Sequence, residues 1–120
     1  MPVGLTKDAG WEIGVSRTLP CTLEEAWELL MSDKGRVVWL NPDDGTEGET
    51  RSCRPLDRFR LIWTPKGWDH DTTLQVVVRP NKSGTSVRFH QERMASADER
   101  ERQRDHWAAV IDRLRDLLSS

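Results

Sequence analysis

Trp11, Ile13, Val15, Arg17 and Leu19 alternate with Glu12, Gly14, Ser16 and Thr18, the two-residue period of a strand with one wetter face. Pro20 should end it. Thr22 and Glu25 then form a capping box, in which each side chain answers a free backbone N–H at a helix start. Leu23, Ala26, Trp27, Leu30 and Met31 follow at helical spacing, so an amphipathic helix of about three turns is predicted. Asp33–Leu40 is shorter and interrupted by Gly35, and predicts a further helical turn or two. The stretch 41–48, NPDDGTEG, has turn residues and no period, so it reads as a loop and as the stretch expected to be least ordered.

Strand periods return after it. ETRSCRP (49–55) is a polar, weak strand. DRFRLIWT sets Phe59, Leu61 and Trp63 against Arg58, Arg60 and Ile62. TTLQVVVRP sets Leu74, Val76 and Val78 against Thr73, Gln75, Val77 and Arg79. TSVRFHQE sets Val87, Phe89 and Gln91 against Arg88, His90 and Glu92. One-sided alternation of this kind suits antiparallel strands with one covered face, and the linker 81–84, NKSG, has hairpin length. Ser96 and Glu99 make a second capping box, after which nothing breaks a helix from Ala97 to about Leu118. Its first half, DERERQRD, is charged all round and reads as a solvated surface with supportive pairs Asp98–Arg102 and Glu101–Arg104. Its second half carries a stripe of Trp107, Val110, Ile111, Leu114, Leu117 and Leu118. Short connections favour sequential neighbours, so the strands should form a meander against which the last helix buries that stripe.

At 120 residues the chain fits one domain, 1–120, with one modest core. Lys and Arg number 18 against 20 Asp and Glu, which gives no basic surface for a nucleic-acid partner. Apolar runs are far too short for a membrane span, and the N-terminus lacks the basic start and apolar block of a leader. A cytoplasmic location is therefore expected. Cys21 and Cys53 are too few and isolated for a disulfide framework or metal-ligand pattern. The chain has six tryptophans, two phenylalanines and no tyrosine. Tryptophan suits half-buried walls and rims, where its large apolar area is covered and its N–H finds a partner.

The element order and four segments, CTLEEAWELL, RLIWTPKGW, SGTSVRFHQE and RDHWAAVIDRLRDLL, resemble the START-like (SRPBCC) superfamily, in the bacterial branch similar to the activator of heat-shock-protein ATPase. The resemblance covers nearly the whole chain and implies an α+β helix-grip fold, a curved antiparallel sheet wrapped around a long C-terminal helix. Two departures stand out. Only 41–48 is available where the family has room for a further strand, so one strand of the sheet is expected to be missing. A glycine common after the last strand is replaced by Arg93. A shortened sheet leaves an open edge, to be covered by another chain or blunted by charge, and a homodimer covering it is expected.

The resemblance further implies a cavity between helix and sheet, holding an apolar, lipid-like or polyketide-like small molecule. Its candidate walls are Trp39, Leu61, Trp63, Val76, Phe89, Trp107 and Ile111, with Trp68 over the rim beyond Pro65 and Gly67. The alternative is that these side chains pack directly on one another. His90 is the leading polar candidate because it titrates near neutral pH, although its parity opposes Phe89 and turns it outward; Arg60 and Glu92 are further polar candidates. His70, His90 and His106 have no ligand spacing, so no metal or other cofactor is expected. No nucleophile elbow or phosphate loop is present and no catalytic residue is singled out. A binding protein is the preferred reading, with a protein-interaction or chaperone-regulator module and a cyclase-like enzyme as alternatives.

Overall fold

The computed structural model describes residues 4–6 and 10–119; part of the N-terminal stretch read above for a leader lies outside the described residues. The elements are β1 (Leu5–Thr6), β2 (Gly10–Leu19), α1 (Leu23–Met31), α2 (Asp33–Trp39), β3 (Glu49–Arg54), β4 (Arg58–Trp63), β5 (Thr72–Asn81), β6 (Gly84–Met94) and α3 (Ala97–Leu118). They build an antiparallel sheet in the order β1-β2-β6-β5-β4-β3, with α3 against its inner face. This is the helix-grip arrangement.

The Thr22–Glu25 capping box forms in full, whereas the expected Ser96–Glu99 box forms only by half. The Thr22 hydroxyl accepts from the Glu25 N–H at 3.1 Å while Glu25 accepts from the Thr22 N–H at 2.9 Å. Ser96 accepts from the Glu99 N–H at 3.1 Å, but Glu99 reaches the Ala95 N–H rather than that of Ser96. Ser32 separates α1 from α2, accepting from Gly35 N–H at 3.1 Å. Gly35 is needed there because a Cβ would lie against the Leu29 carbonyl.

The strand periods place Ile13, Val15 and Leu19, then Phe59, Leu61 and Trp63, then Leu74, Val76 and Val78, then Val87 and Phe89 in one buried layer. On α3, Trp107, Val110, Ile111 and Leu114 face this layer and are fully buried, each aliphatic contributing about 1.5–3 kcal/mol relative to exposure. The charged half of α3 is less solvated than its composition suggests. Gln103 is buried, and the Arg100 Nε donates to the Glu12 carbonyl at 2.8 Å. The Glu101–Arg104 pair forms at 3.0 Å, whereas Asp98–Arg102 is not among the ion pairs of the described residues.

Two irregularities shape the sheet. β2 pairs with β6 as Trp11↔Met94 and then Ile13↔Gln91, so β6 carries an extra residue, and Arg93 there adopts φ 68°. β3 is the other edge; all six of its residues are exposed, and its pairing with β4 slips between Thr50 and Ser52. Segment 40–48, between α2 and β3, holds no strand and only a single bridge, Gly45↔Pro65. It is nevertheless tied down, contrary to the expectation of disorder. Thr46 N–H donates to the Thr64 carbonyl at 3.0 Å and Lys66 N–H to the Asp44 carbonyl at 2.8 Å. The Thr64 N–H donates to the Thr46 hydroxyl at 3.1 Å. The hydrogen bonds that a strand would have made are replaced by these contacts with the loop after β4.

Candidate functional site

A cleft opens at the β3–β4 side of the sheet, between α2, segment 42–48 and the β3–β4 hairpin. Its inner part, about 110 Å³, has Met31, Trp39, Leu40, Phe59 and Leu61 as apolar walls and Arg36, Glu47, Thr50 and Cys53 at its polar side. Arg36, Leu40 and Glu47 are shared with an outer groove of about 440 Å³ that adds Asp33, Val37, Pro42, Gly45 and Thr46. Val37 is 56% exposed, an unusual position for a large apolar side chain. Apolar walls with a few convergent polar groups are what a small-molecule site needs.

Local structure holds this cleft in place. The Trp39 indole donates to the Leu30 carbonyl at 2.8 Å, which locks its ring 5.0 Å from Phe59. The Arg36 guanidinium lies 5.9 Å from the Trp39 ring centroid, a cation–π distance. Gly48, at φ 78°, lets the segment approach β4 closely; a Cβ there would meet the Leu61 side chain at 2.5 Å.

Of the nine side chains expected at the cavity, Trp39 and Leu61 line it. Trp63, Val76, Phe89, Trp107 and Ile111 lie beneath, buried in one continuous core. Phe89 and Trp107 stack at 4.8 Å with ring planes 9° apart, and Trp63 sits 5.6 Å from Trp107. Trp68 is half-buried on the loop after β4 and packs on His70 at 5.3 Å; it does not line the cleft. His90 lies on the opposite face of the sheet, where strand parity sends it. It faces Glu12 at 3.8 Å and Glu92 at 3.5 Å, with Arg60 at 3.8 Å from Glu92. Glu12, His90 and Glu92 bring one potential ligand atom each within 4.8 Å, a grouping that spacing along the chain did not reveal. Arg60 already neutralises part of its negative charge.

Sequence reasoning passed over Gln91. Its Oε1 accepts from the Trp107 indole at 2.8 Å and from Gln103 Nε2 at 3.0 Å. Its Nε2 donates to the Thr72 hydroxyl at 2.9 Å, and that hydroxyl donates to the Trp63 carbonyl at 2.6 Å. The signal was available: a glutamine at inward parity beside Phe89 must find partners.

The histidines differ sharply. Partial burial acts against a charged His70, but Glu99 accepting at 3.0 Å, the Asp71 carbonyl and the Asp69 charge outweigh it and raise its pKa. Burial pushes the His106 pKa down; the Asp44 charge opposes this and Arg113 adds to it. Burial also raises the Cys21 thiol, with Glu25 adding to the effect.

No match among curated proteins was found by sequence. Solved structures share the architecture at low identity. A protein of the dynemicin biosynthetic locus, DynU16, superposes with TM-score 0.80 at 15% identity, over 91% of this chain and 47% of that one. This chain thus spans about half of that protein's length. MLL2253 from Mesorhizobium loti gives 0.75 at 17% identity, over 90% of this chain and 96% of the other. The Aha1 dimer from Colwellia psychrerythraea gives 0.68 at 14% identity, over 88% and 93%. These show the fold. The model of the family described as Activator of Hsp90 ATPase homolog 1-like protein matches residues 21–119, from the start of α1 through the end of α3, and the chain belongs to that family.

Proposed function

We propose that the chain binds an apolar small molecule, lipid-like or polyketide-like, in the cleft between α2 and the β3–β4 hairpin. The observation that carries this reading is the wall of Met31, Trp39, Leu40, Phe59 and Leu61 left uncovered by the short segment 41–48 and continued by the groove beside Val37. Trp39 and Leu61 form the floor, and Arg36 and Glu47 are the polar groups that orient a ligand. Trp63, Val76, Phe89, Trp107 and Ile111 act as the rigid support behind them. A protein of the dynemicin biosynthetic locus with the same fold lends support to the polyketide-like reading. The reading contains no catalytic step, and the His90 cluster on the outer face has no part in it.

The test is native mass spectrometry of freshly purified protein together with tryptophan fluorescence against a panel of lipids and polycyclic aromatics. Retained ligand mass and a change in tryptophan emission that is lost in Trp39→Phe are expected. Silence across the panel in both measurements overturns the reading.

We also propose a cytoplasmic location; no helix among the described residues is long and apolar enough to cross a membrane. A homodimer is the companion reading, supported by a solved structure of the same fold described as a dimer. The slip at Arg51 and the charges of Glu49, Arg51 and Arg54 oppose extension of the sheet through the β3 edge. A second copy would therefore cover the cleft side. Light scattering at micromolar concentration is expected to show a dimer, and a monomer removes it.

A further inference from the structure

Two buried side-chain nitrogens among the described residues lack any hydrogen-bond partner: Trp63 Nε1 and His106 Nε2. The other tryptophans buried in the core answer theirs, Trp39 on the Leu30 carbonyl and Trp107 on Gln91. A fold that satisfies those two indoles and leaves the third open calls for a reason, since buried polar groups are nearly always paired. Trp63 is 1% exposed. Its ring and that of His106 are near parallel, planes 21° apart and centroids 6.1 Å apart, so the two open nitrogens belong to neighbouring rings.

That region is roofed by segment 41–48. Gly45 lies directly over the indole: a Cβ on it would be 2.7 Å from Trp63 Nε1 and 2.5 Å from the Thr64 carbonyl. The same segment supplies Gly45, Thr46 and Glu47 to the outer groove and Glu47 and Gly48 to the inner cavity. Leu61, on the cavity floor, shares its face of β4 with Trp63. The roof is held near its tip by the three hydrogen bonds to Thr64 and Lys66, a small set to break compared with a strand ladder. Trp63 and His106 line neither space while the roof is down, and a ligand reaches them only once it lifts.

We propose that Trp63 and His106 form the polar end of the ligand site, reading one hydroxyl group on an otherwise apolar ligand that enters beneath segment 41–48. The inference rests on the ligand-binding reading and names the class of ligand. The indole is a donor only, and a neutral imidazole nitrogen is a donor or an acceptor according to tautomer. A hydroxyl answers both cases, because its oxygen accepts from the indole and either accepts from or donates to His106 Nε2. A carboxylate is disfavoured because burial dominates at His106, while the Asp44 and Arg113 charges it feels oppose one another.

The test compares a naphthol with the methylnaphthalene that carries its methyl in the hydroxyl's place, by fluorescence titration and by following the Trp63 indole N–H in nitrogen–proton spectra of the wild-type chain. The naphthol is expected to bind about tenfold tighter, the worth of one or two net hydrogen bonds, and to shift the Trp63 N–H. Trp63→Phe and His106→Leu are each expected to cut the roughly tenfold naphthol preference towards none, read as the ratio of the two probe affinities within each variant. Equal affinities, or an indole N–H unmoved at saturating naphthol, overturn the inference and leave the ligand reading standing. An indole N–H that shows contact with a long-lived water, unchanged by naphthol, overturns it in the same way. If neither probe binds, the ligand reading falls and the inference with it. The wild-type spectra decide even where a variant fails to fold.

Discussion

The two ends of the buried layer use the same materials to opposite effect. Towards β6, Trp107 and Phe89 stack closely, and Gln91 answers the indole, Gln103 and Thr72 at once. Towards α2, Trp63 has no such amide, and a cleft stands beside Trp39 and Leu61. What separates them is the chain that covers each. Beside Trp107, strand β6 offers the inward glutamine that answers the indole, with Gln103 one turn before on α3 supporting it, whereas over Trp63 a short irregular segment offers a glycine. Closed packing needs polar handles met from within; a ligand site leaves some to be met from outside.

Removing the hub should have the largest effect. Gln91→Leu keeps the volume but leaves the Trp107 indole and the Gln103 amide as buried donors without acceptors. Each such loss costs about 1–3 kcal/mol, so a loss of about 3 kcal/mol or more is expected in denaturant unfolding. Trp63 should respond differently: Trp63→Phe removes an open donor, and a cost clearly below that of Gln91→Leu is expected in the same assay. Equal costs for the two would erase the contrast between the ends.

Gly45→Ala comes next. The new methyl would press on the Thr64 carbonyl and the Trp63 indole, and overpacking of this kind costs about 1–3 kcal/mol. Because the roof is irregular, the damage should be local. Hydrogen exchange is expected to rise at Thr46 and Lys66 and to stay unchanged in β5 and β6. Faster exchange throughout the sheet would mean that the segment is part of the core.

Much of this architecture was legible beforehand. Period-two runs located β2, β4, β5 and β6, and the Ser96–Glu99 box located the start of α3, because each of these segments buries one face and so must display its period. β1 escaped because a two-residue strand has no period to show. The order in segment 41–48 escaped because its contacts run through backbone groups to Thr64 and Lys66, which composition does not encode. For the site, inward parity found Leu61 and Trp63 but could not say which faces a cleft; that depends on how far Gly48 lets the segment approach. Arg36, on an interrupted helix, gave no sign that it would lie near Trp39.

The histidines sharpen the same contrast through pH. His70 has a pKa raised above its ordinary 6.5, so its contribution is full below that value and is lost as pH rises through the raised pKa. His106 has a lowered pKa, so its contribution is full above 6.5 and is lost as pH falls through the lowered one. Stability should therefore peak between the two windows. His70→Asn is expected to flatten the alkaline limb by under about 1 kcal/mol, as befits a half-exposed pair, and His106→Leu to flatten the acid limb. Denaturant midpoints measured at steps of pH separate the two; a variant that flattens the wrong limb reverses its assignment.

The smallest effects belong to two strained positions, one in the β3–β4 turn and one in the β6 bulge. Arg54, Pro55, Leu56 and Asp57 make the β3–β4 turn, closed by the Asp57 N–H on the Arg54 carbonyl at 3.0 Å. Leu56 follows the proline at φ 63°, where such turns favour glycine. Arg93 occupies the bulge at φ 68°, a conformation that favours glycine. A side chain in the left-handed region costs about 1–2 kcal/mol, partly offset by the greater freedom that glycine loses on folding. Leu56→Gly and Arg93→Gly should each stabilise by about 0.5–1 kcal/mol. Leu56 is exposed and lies outside the cleft, so its replacement should leave probe binding alone. The bulge at Arg93 sets the register by which Gln91 reaches Trp107. If Arg93→Gly instead destabilises, the arginine side chain is holding that register, and the closed end owes its order to more than the glutamine.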